Sequence, residues 1–294
     1  MIESPSEPEM LDPACLNLRR HLAQIVAIPV LFMPVTAPAS AADASNWDKS
    51  MHSAVRLIAA GARHGDNPTL RAGIEIRLDA GWKTYWRYPG DSGVPPRFTF
   101  ARSENVKAVT VKWPAPHRFT DDSGQSIGYK AHVIFPLVVE PKDARRPATL
   151  RLDLDYAVCE KLCVPAEAKA ELALASARTS QEAALTAAEA RVPQRRSLGE
   201  ASSLSIRAVR REARDRVVVD VIAPAGTSVD LFAEGPTPDW ALPLPEPVAG
   251  APDHVKRFAL ALDGLPGGAK PEGALLTLTA VAGEAAIEVT YQLD

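Results

Sequence analysis

Two cysteines four positions apart, Cys159 and Cys163, carry the clearest chemistry in this chain of 294 residues. Such a pair can close a disulfide, exchange with a visiting thiol, or hold a soft metal as thiolates. On an uninterrupted strand, Cα atoms four apart lie about 13 Å from each other at 3.3 Å per residue. A disulfide needs roughly 4.4–6.8 Å. The strand is therefore expected to end near Val158, with a helical turn or tight loop bringing the two positions to about 6 Å. Pro165 then directs the chain back out. A bridge over about five residues contributes only about 2 kcal/mol by chain entropy, against about 4.7 kcal/mol for a loop of a hundred. A bond that staples so little is better placed to be made and broken. Lys161 favours a thiolate beside it and Glu160 opposes one.

Two other uses of the pair stay open at this point. One is a local disulfide that stiffens a turn. The other is a metal site, which needs His or Met beside the thiolates. Met51, His52, His64, His117, His132 and His254 show no ligand spacing to the cysteines. Neither metal nor cofactor is expected.

The elements around the pair read as β, helix, β. The segment Leu150-Arg151-Leu152-Asp153-Leu154-Asp155-Tyr156 alternates strictly, as a strand with one wet face does. Further short β-rich runs lie at 54–58, 70–78, 83–87, 97–100, 106–113, 132–139 and 168–174, broken by Gly, Pro and Asp clusters. Residues 180–191 are helix formers, capped by Thr179 or Ser180 and stopped by Pro193. Strand texture returns at 204–209, 216–222, 229–233, 254–262, 275–282 and 286–293. The expected fold class is all-β: two immunoglobulin-like β-sandwiches, residues 42–177 and 197–294, joined by a short helical linker at 178–196.

Ahead of these lies a segment that reads as an export signal. Arg19 and Arg20 precede an apolar run from Leu22 to Val35, and Ala39-Ser40-Ala41 fits a cleavage site. Residues 1–41 are thus expected to be a secretory signal peptide. The run is shorter than a membrane span requires and contains Pro29 and Pro34. Cys15 precedes it, so two cysteines remain after cleavage, an even count that suits one disulfide in an oxidising compartment. With 33 basic and 36 acidic residues the chain has a formal charge of −3, which draws in neither nucleic acid nor an anionic membrane. No later run is long enough to span a membrane.

The stretch from roughly 47 to 175 resembles the periplasmic amino-terminal domain of the thiol:disulfide interchange protein DsbD and its copper-stress (ScsB-like) relatives. The residues that carry the resemblance are Gly81-Trp82-Lys83-Thr84-Tyr85-Trp86, Trp113-Pro114-Ala115-Pro116, Gly128-Tyr129 ahead of Phe135-Pro136-Leu137, and Tyr156 through Pro165. The resemblance implies an immunoglobulin-like sandwich in the periplasm. It implies that Cys159 and Cys163 take electrons from a membrane-embedded thiol reductase and pass them to periplasmic thioredoxin-like proteins, with Cys163 the attacked sulfur. It also implies a cap loop over the cysteines at Asp121 to Tyr129, in which Ile127, Gly128 and Tyr129 are candidates and Ile127 or Tyr129 is the apolar shield; the alternative for this segment is an ordinary hairpin loop rich in Gly and Asp. DsbD separates its cysteines by more residues; three intervening residues suit the copper-stress branch. DsbD also continues into membrane helices and a thioredoxin-like domain, so this chain, ending at Asp294, is expected to work with separate partners or to have lost the relay role.

Three functions follow as expectations. The first is thiol–disulfide oxidoreduction of the protein-disulfide reductase type. The second is a β-sandwich binding module with an inert disulfide, docking a membrane or copper-handling partner. The third is direct copper binding by the reduced cysteines.

Overall fold

The structure is a computed structural model and describes residues 42–63, 68–90, 93–121, 124–174, 179–252 and 254–294. The expected signal peptide at 1–41 lies outside them. Eleven strands come first: β1 (Asp48–Lys49), β2 (Ser53–Arg63), β3 (Thr69–Leu78), β4 (Lys83–Gly90), β5 (Arg97–Thr99), β6 (Val106–Val111), β7 (His117–Asp121), β8 (Gly124–Lys130), β9 (His132–Pro141), β10 (Ala148–Cys159) and β11 (Cys163–Leu174). They form two sheets, one in the order β1-β2-β3-β9-β6 and one in the order β11-β10-β4-β8-β7, with β5 paired to β10. The alternation at 150–156 has the expected outcome. Leu150, Leu152, Leu154, Tyr156 and Val158 are buried in the core between the sheets. Across that core they meet Leu57, Ile74, Ile76 and Phe135.

One helix, α1 (Glu182–Ala190), follows. It lies between the two sets of strands in sequence and is docked on the outer face of the first sheet. Leu185 and Ala188 are buried against Ile58, Ala60 and Ile134. The Arg71 guanidinium, itself on β3, binds the carboxylates of Glu182 and Glu189 and the Thr186 hydroxyl. The Glu189 hydrogen bond is the largest influence raising the Arg71 pKa. This Ala-rich helix is thus held by a buried cation as well as by its small apolar face.

The remaining strands are β12 (Gln194–Arg195), β13 (Ser205–Ala213), β14 (Arg216–Ile222), β15 (Val229–Glu234), β16 (Glu246–Pro247), β17 (Val255–Ala261), β18 (Leu275–Ala282) and β19 (Ala285–Gln292). They make two four-stranded sheets, β12-β19-β18-β15 and β13-β14-β17-β16, around a second core that includes Val219, Leu231, Trp240, Phe258 and Leu278. The two pairs of sheets lie in one compact unit. Phe232, Leu244, Val281 and Ala286 of the second pair bury themselves in the core of the first. Trp86 on β4 meets Phe232 at 5.8 Å between ring centroids. The all-β immunoglobulin-like class is the observed one.

On the outer face of the first sheet, Glu75 is nearly buried, with its side chain 5% exposed. Burial alone would raise its pKa, but hydrogen bonds and charge from His132 and Arg56 outweigh this and hold it at about 2. A carboxyl depressed in the folded state stabilises above its unfolded pKa and loses that contribution as pH falls through the folded value. The window runs from about 4.5 down to about 2. Over that window wild type is expected to lose about 2 kcal/mol more stability than Glu75→Gln, allowing for solvent screening. Urea unfolding at a series of pH values checks this; parallel curves for the two proteins would contradict it.

Candidate redox site

The alternation that places Leu154, Tyr156 and Val158 inside the sandwich turns Ala157 and Cys159 to the outer face of the second sheet, in line with Asp153 and Asp155. There Cys159 pairs directly with Cys163 across the β10–β11 ladder. Their sulfurs are bonded and their Cα atoms are 4.2 Å apart. The strand thus continues one residue beyond Val158. The sulfurs meet as a cross-strand pair at the mouth of a three-residue loop, Glu160-Lys161-Leu162, and not through a helical turn.

The two sulfurs sit in different surroundings. Cys159 is 2% exposed, although its strand face is the wet one. Cys163 is exposed, and Leu162 beside it is 79% exposed. Cover for Cys159 comes from β4. Lys83 is the register partner of Cys159, and Tyr85, two residues on, shares that face. Tyr85, Ala157 and Cys159 form their own small buried cluster. The Tyr85 hydroxyl donates to Cys159 Sγ at 2.8 Å and lies 3.2 Å from Cys163 Sγ. The backbone after β4 lies on the Tyr85 ring: a Cβ on Gly93 would fall 2.4 Å from Tyr85 Cε1, so the close approach needs glycine there.

Around this core lie Lys83, Lys130 and several aromatic rings. Lys83 is buried and its amino group donates to Ser126 Oγ at 2.9 Å. Lys130, its partner on β8, stands 4.5 Å over the Phe119 ring. Trp82 is stacked on His52 at 3.7 Å between ring centroids. Trp86 is fully buried. Asp155 is exposed on the strand face.

The expected cap residues are placed differently from the reading above. Asp122 and Ser123, within the proposed loop, lie outside the described residues. From Gly124 onward the segment is strand β8, not loop. Ile127 and Tyr129 point into the core: Ile127 is 0% exposed, and Tyr129 packs edge-on against Phe135 and donates its hydroxyl to Pro114 O. Burial raises the Tyr129 pKa well above the ordinary tyrosine value. Strand alternation turns these two side chains away from the disulfide, which lies on the other face. Gly128 faces Tyr85 in register, and a Cβ there would stand 2.0 Å from Thr84 O, so its role is close strand contact. The side chain in direct contact with both sulfurs is Tyr85, which the sequence offers only as one residue of the Gly81-Trp82-Lys83-Thr84-Tyr85-Trp86 run. Only the register of β4 on β10 identifies it.

The arrangement supports one reaction type well. A thiolate approaching from solvent reaches Cys163, and the sulfur that must leave is buried beside a hydroxyl donor. Among the described residues, no three of His, Cys, Asp and Glu converge as a metal-binding set. No helix among them is long and apolar enough to cross a membrane.

Residues 55–175 match the family described as thiol:disulfide interchange protein DsbD, N-terminal. Among solved structures, the N-terminal periplasmic domain of ScsB from Proteus mirabilis aligns at 20% identity with a TM-score of 0.68, covering 86% of this chain and 99% of that one. That share is too large for the first pair of sheets alone, so the shared fold extends into the second pair. A marsupial T cell receptor aligns at 11% identity with a TM-score of 0.21, covering 84% of this chain and 99% of that one. No curated protein matches.

Proposed function

Taking residues 55–175 as a domain of the DsbD amino-terminal type, we propose that the chain is a periplasmic thiol–disulfide exchange protein working through Cys159 and Cys163. It relays electrons between a membrane-embedded thiol reductase and periplasmic thioredoxin-like proteins. A partner thiolate attacks Cys163 Sγ and forms a mixed disulfide; the Cys159–Cys163 bond breaks and Cys159 leaves as thiolate. A second partner thiol then attacks the partner's own sulfur in the mixed disulfide and releases Cys163. The partner dithiol is oxidised and this disulfide reduced, two electrons in all. Run in reverse, the reduced pair reduces a thioredoxin-like disulfide. Residues 42–177 carry the exchange, and 197–294 form a second sandwich held against them.

One observation carries the reading: the bond joins an exposed sulfur to a buried one at a hairpin tip, where Leu162 offers a partner apolar surface. A staple has no need of the asymmetry, and a bridge over so short a loop stabilises little. Equilibration against glutathione buffers tests it. The expected reduction potential lies well above about −300 mV, the region below which structural bonds fall. A value beneath that leaves the binding module with an inert disulfide as the reading.

A further inference from the structure

Cys159 presents a chemical difficulty that the exchange reaction must meet. It is the sulfur expelled when Cys163 is attacked, and a thiol of lower pKa leaves faster. Burial works in the opposite direction, because it disfavours the charged thiolate. At 2% exposure, water gives Cys159 little help. Something in the protein must hold the negative charge as the bond breaks. We propose that Tyr85 is that group: its hydroxyl, already donating to Cys159 Sγ at 2.8 Å, receives the departing thiolate and lowers the barrier to exchange. This rests on the exchange reading and assigns the residue that makes the buried sulfur a competent leaving group.

The step needs no motion of the ring. The hydroxyl lies within reach of both sulfurs, at 2.8 and 3.2 Å, and the ring is pinned by the Gly93 backbone. As the S–S bond lengthens, the electron pair moves to Cys159 and the existing O–H···S contact becomes a bond to an anion, which is the stronger kind. The phenol keeps its proton throughout. In the return direction the same bond lets go as Cys159 attacks Cys163 in the mixed disulfide. Other charged groups face the site. Lys83 stands opposite Cys159 with its amino group on Ser126, and Glu160 and Lys161 occupy the exposed loop. All three are retained when only the hydroxyl is removed.

The test is Tyr85→Phe, which keeps the ring. Reduction of the disulfide by dithiothreitol is expected to slow about tenfold, the scale of one hydrogen bond to an ionised group. In a Cys163→Ser background that also carries Cys15→Ser, thiolate absorbance titrates Cys159 alone, and its pKa is expected to rise by about one unit on the same substitution. Biosynthetic replacement of tyrosine by 3-fluorotyrosine, a more acidic phenol, should shift that pKa down in the C163S chain and leave the Y85F/C163S chain unmoved. The downward shift in the C163S chain is read with the Tyr85 ring in place, so that arm stands even if Y85F fails to fold. An unchanged pKa and rate in folded Y85F would make Tyr85 a packing residue and overturn the proposal. A slower rate with an unchanged pKa would assign the effect to access and overturn it as well. The exchange reading fails separately, on a wild-type potential below about −300 mV, whatever Tyr85 does to the thiol.

Discussion

Cys159→Ser is expected to form a stable mixed disulfide through Cys163, whereas Cys163→Ser is expected to form almost none. The prediction follows from exposure. Exchange requires a sulfur to be approached along the S–S axis, so its rate depends on access as well as on thiolate fraction. With Cys15 replaced by serine in both variants, the remaining thiol of Cys159→Ser is Cys163, which opens β11 at the exposed end of the hairpin. In Cys163→Ser the remaining thiol is 2% exposed beneath Tyr85. It reacts only when the hairpin end opens, and a local opening costing a few kcal/mol slows reaction by on the order of a hundredfold. The probe is 5,5′-dithiobis(2-nitrobenzoic acid), whose coloured anion reports each attack. Comparable rates for the two variants would remove the asymmetry on which the mechanism depends. Mixed disulfide with a thioredoxin-like protein, seen on a non-reducing gel with Cys159→Ser and absent with Cys163→Ser, would extend the same order to a protein partner.

How much of this was legible before the fold was known depends on whether a feature is local. The bounds of β14 and β18 coincide with runs read from β-branched and apolar texture, because those segments are regular and flanked by turn residues. The β10 alternation likewise declared which of its faces is inside. The strands β7 and β8 were not read, and the segment stood as a cap or an ordinary hairpin loop: Gln125-Ser126-Ile127-Gly128-Tyr129 has no strong period, and its strand character rests on pairing with β4, where Gly128 lets the backbones approach. The error over the cap follows directly, since a strand sends alternate side chains to opposite faces and a loop does not. The helix was visible, but its docking was not, because its main anchor is Arg71, more than a hundred residues earlier in the chain. The contact of Tyr85 with both sulfurs was hidden for the same reason. The site is a meeting of two hairpins, and sequence spacing describes only one of them.

The same strand that brings Tyr85 to the sulfurs carries, two residues later, the cation that ties the two pairs of sheets together. Arg87 donates to both oxygens of Glu234 at 2.7–3.1 Å and to Glu288 at 2.5 Å. The two carboxylates are 17% and 14% exposed. Burial would lower the Arg87 pKa, but hydrogen bonds and charge from both glutamates outweigh it and raise the value, so the guanidinium stays ionised. Arg87→Met is therefore expected to leave two carboxylates crowded and nearly dry without their shared cation. Removing one partner of such a buried set costs about 3–5 kcal/mol. In thermal unfolding that corresponds to a fall in Tm of about 10 °C for a chain of this size. The triple variant Arg87→Met, Glu234→Gln, Glu288→Gln should recover a large part of the loss, because the penalty lies in unpaired charge and not in the missing contact itself. If Arg87→Met unfolds within a degree or so of wild type, the cluster is no clamp. Should the single variant lose stability and also change the Cys163 exchange rate, β4 transmits the state of the second pair of sheets to the disulfide through Trp86 and Tyr85. An unaltered rate would instead confine the second sandwich to holding the first in place.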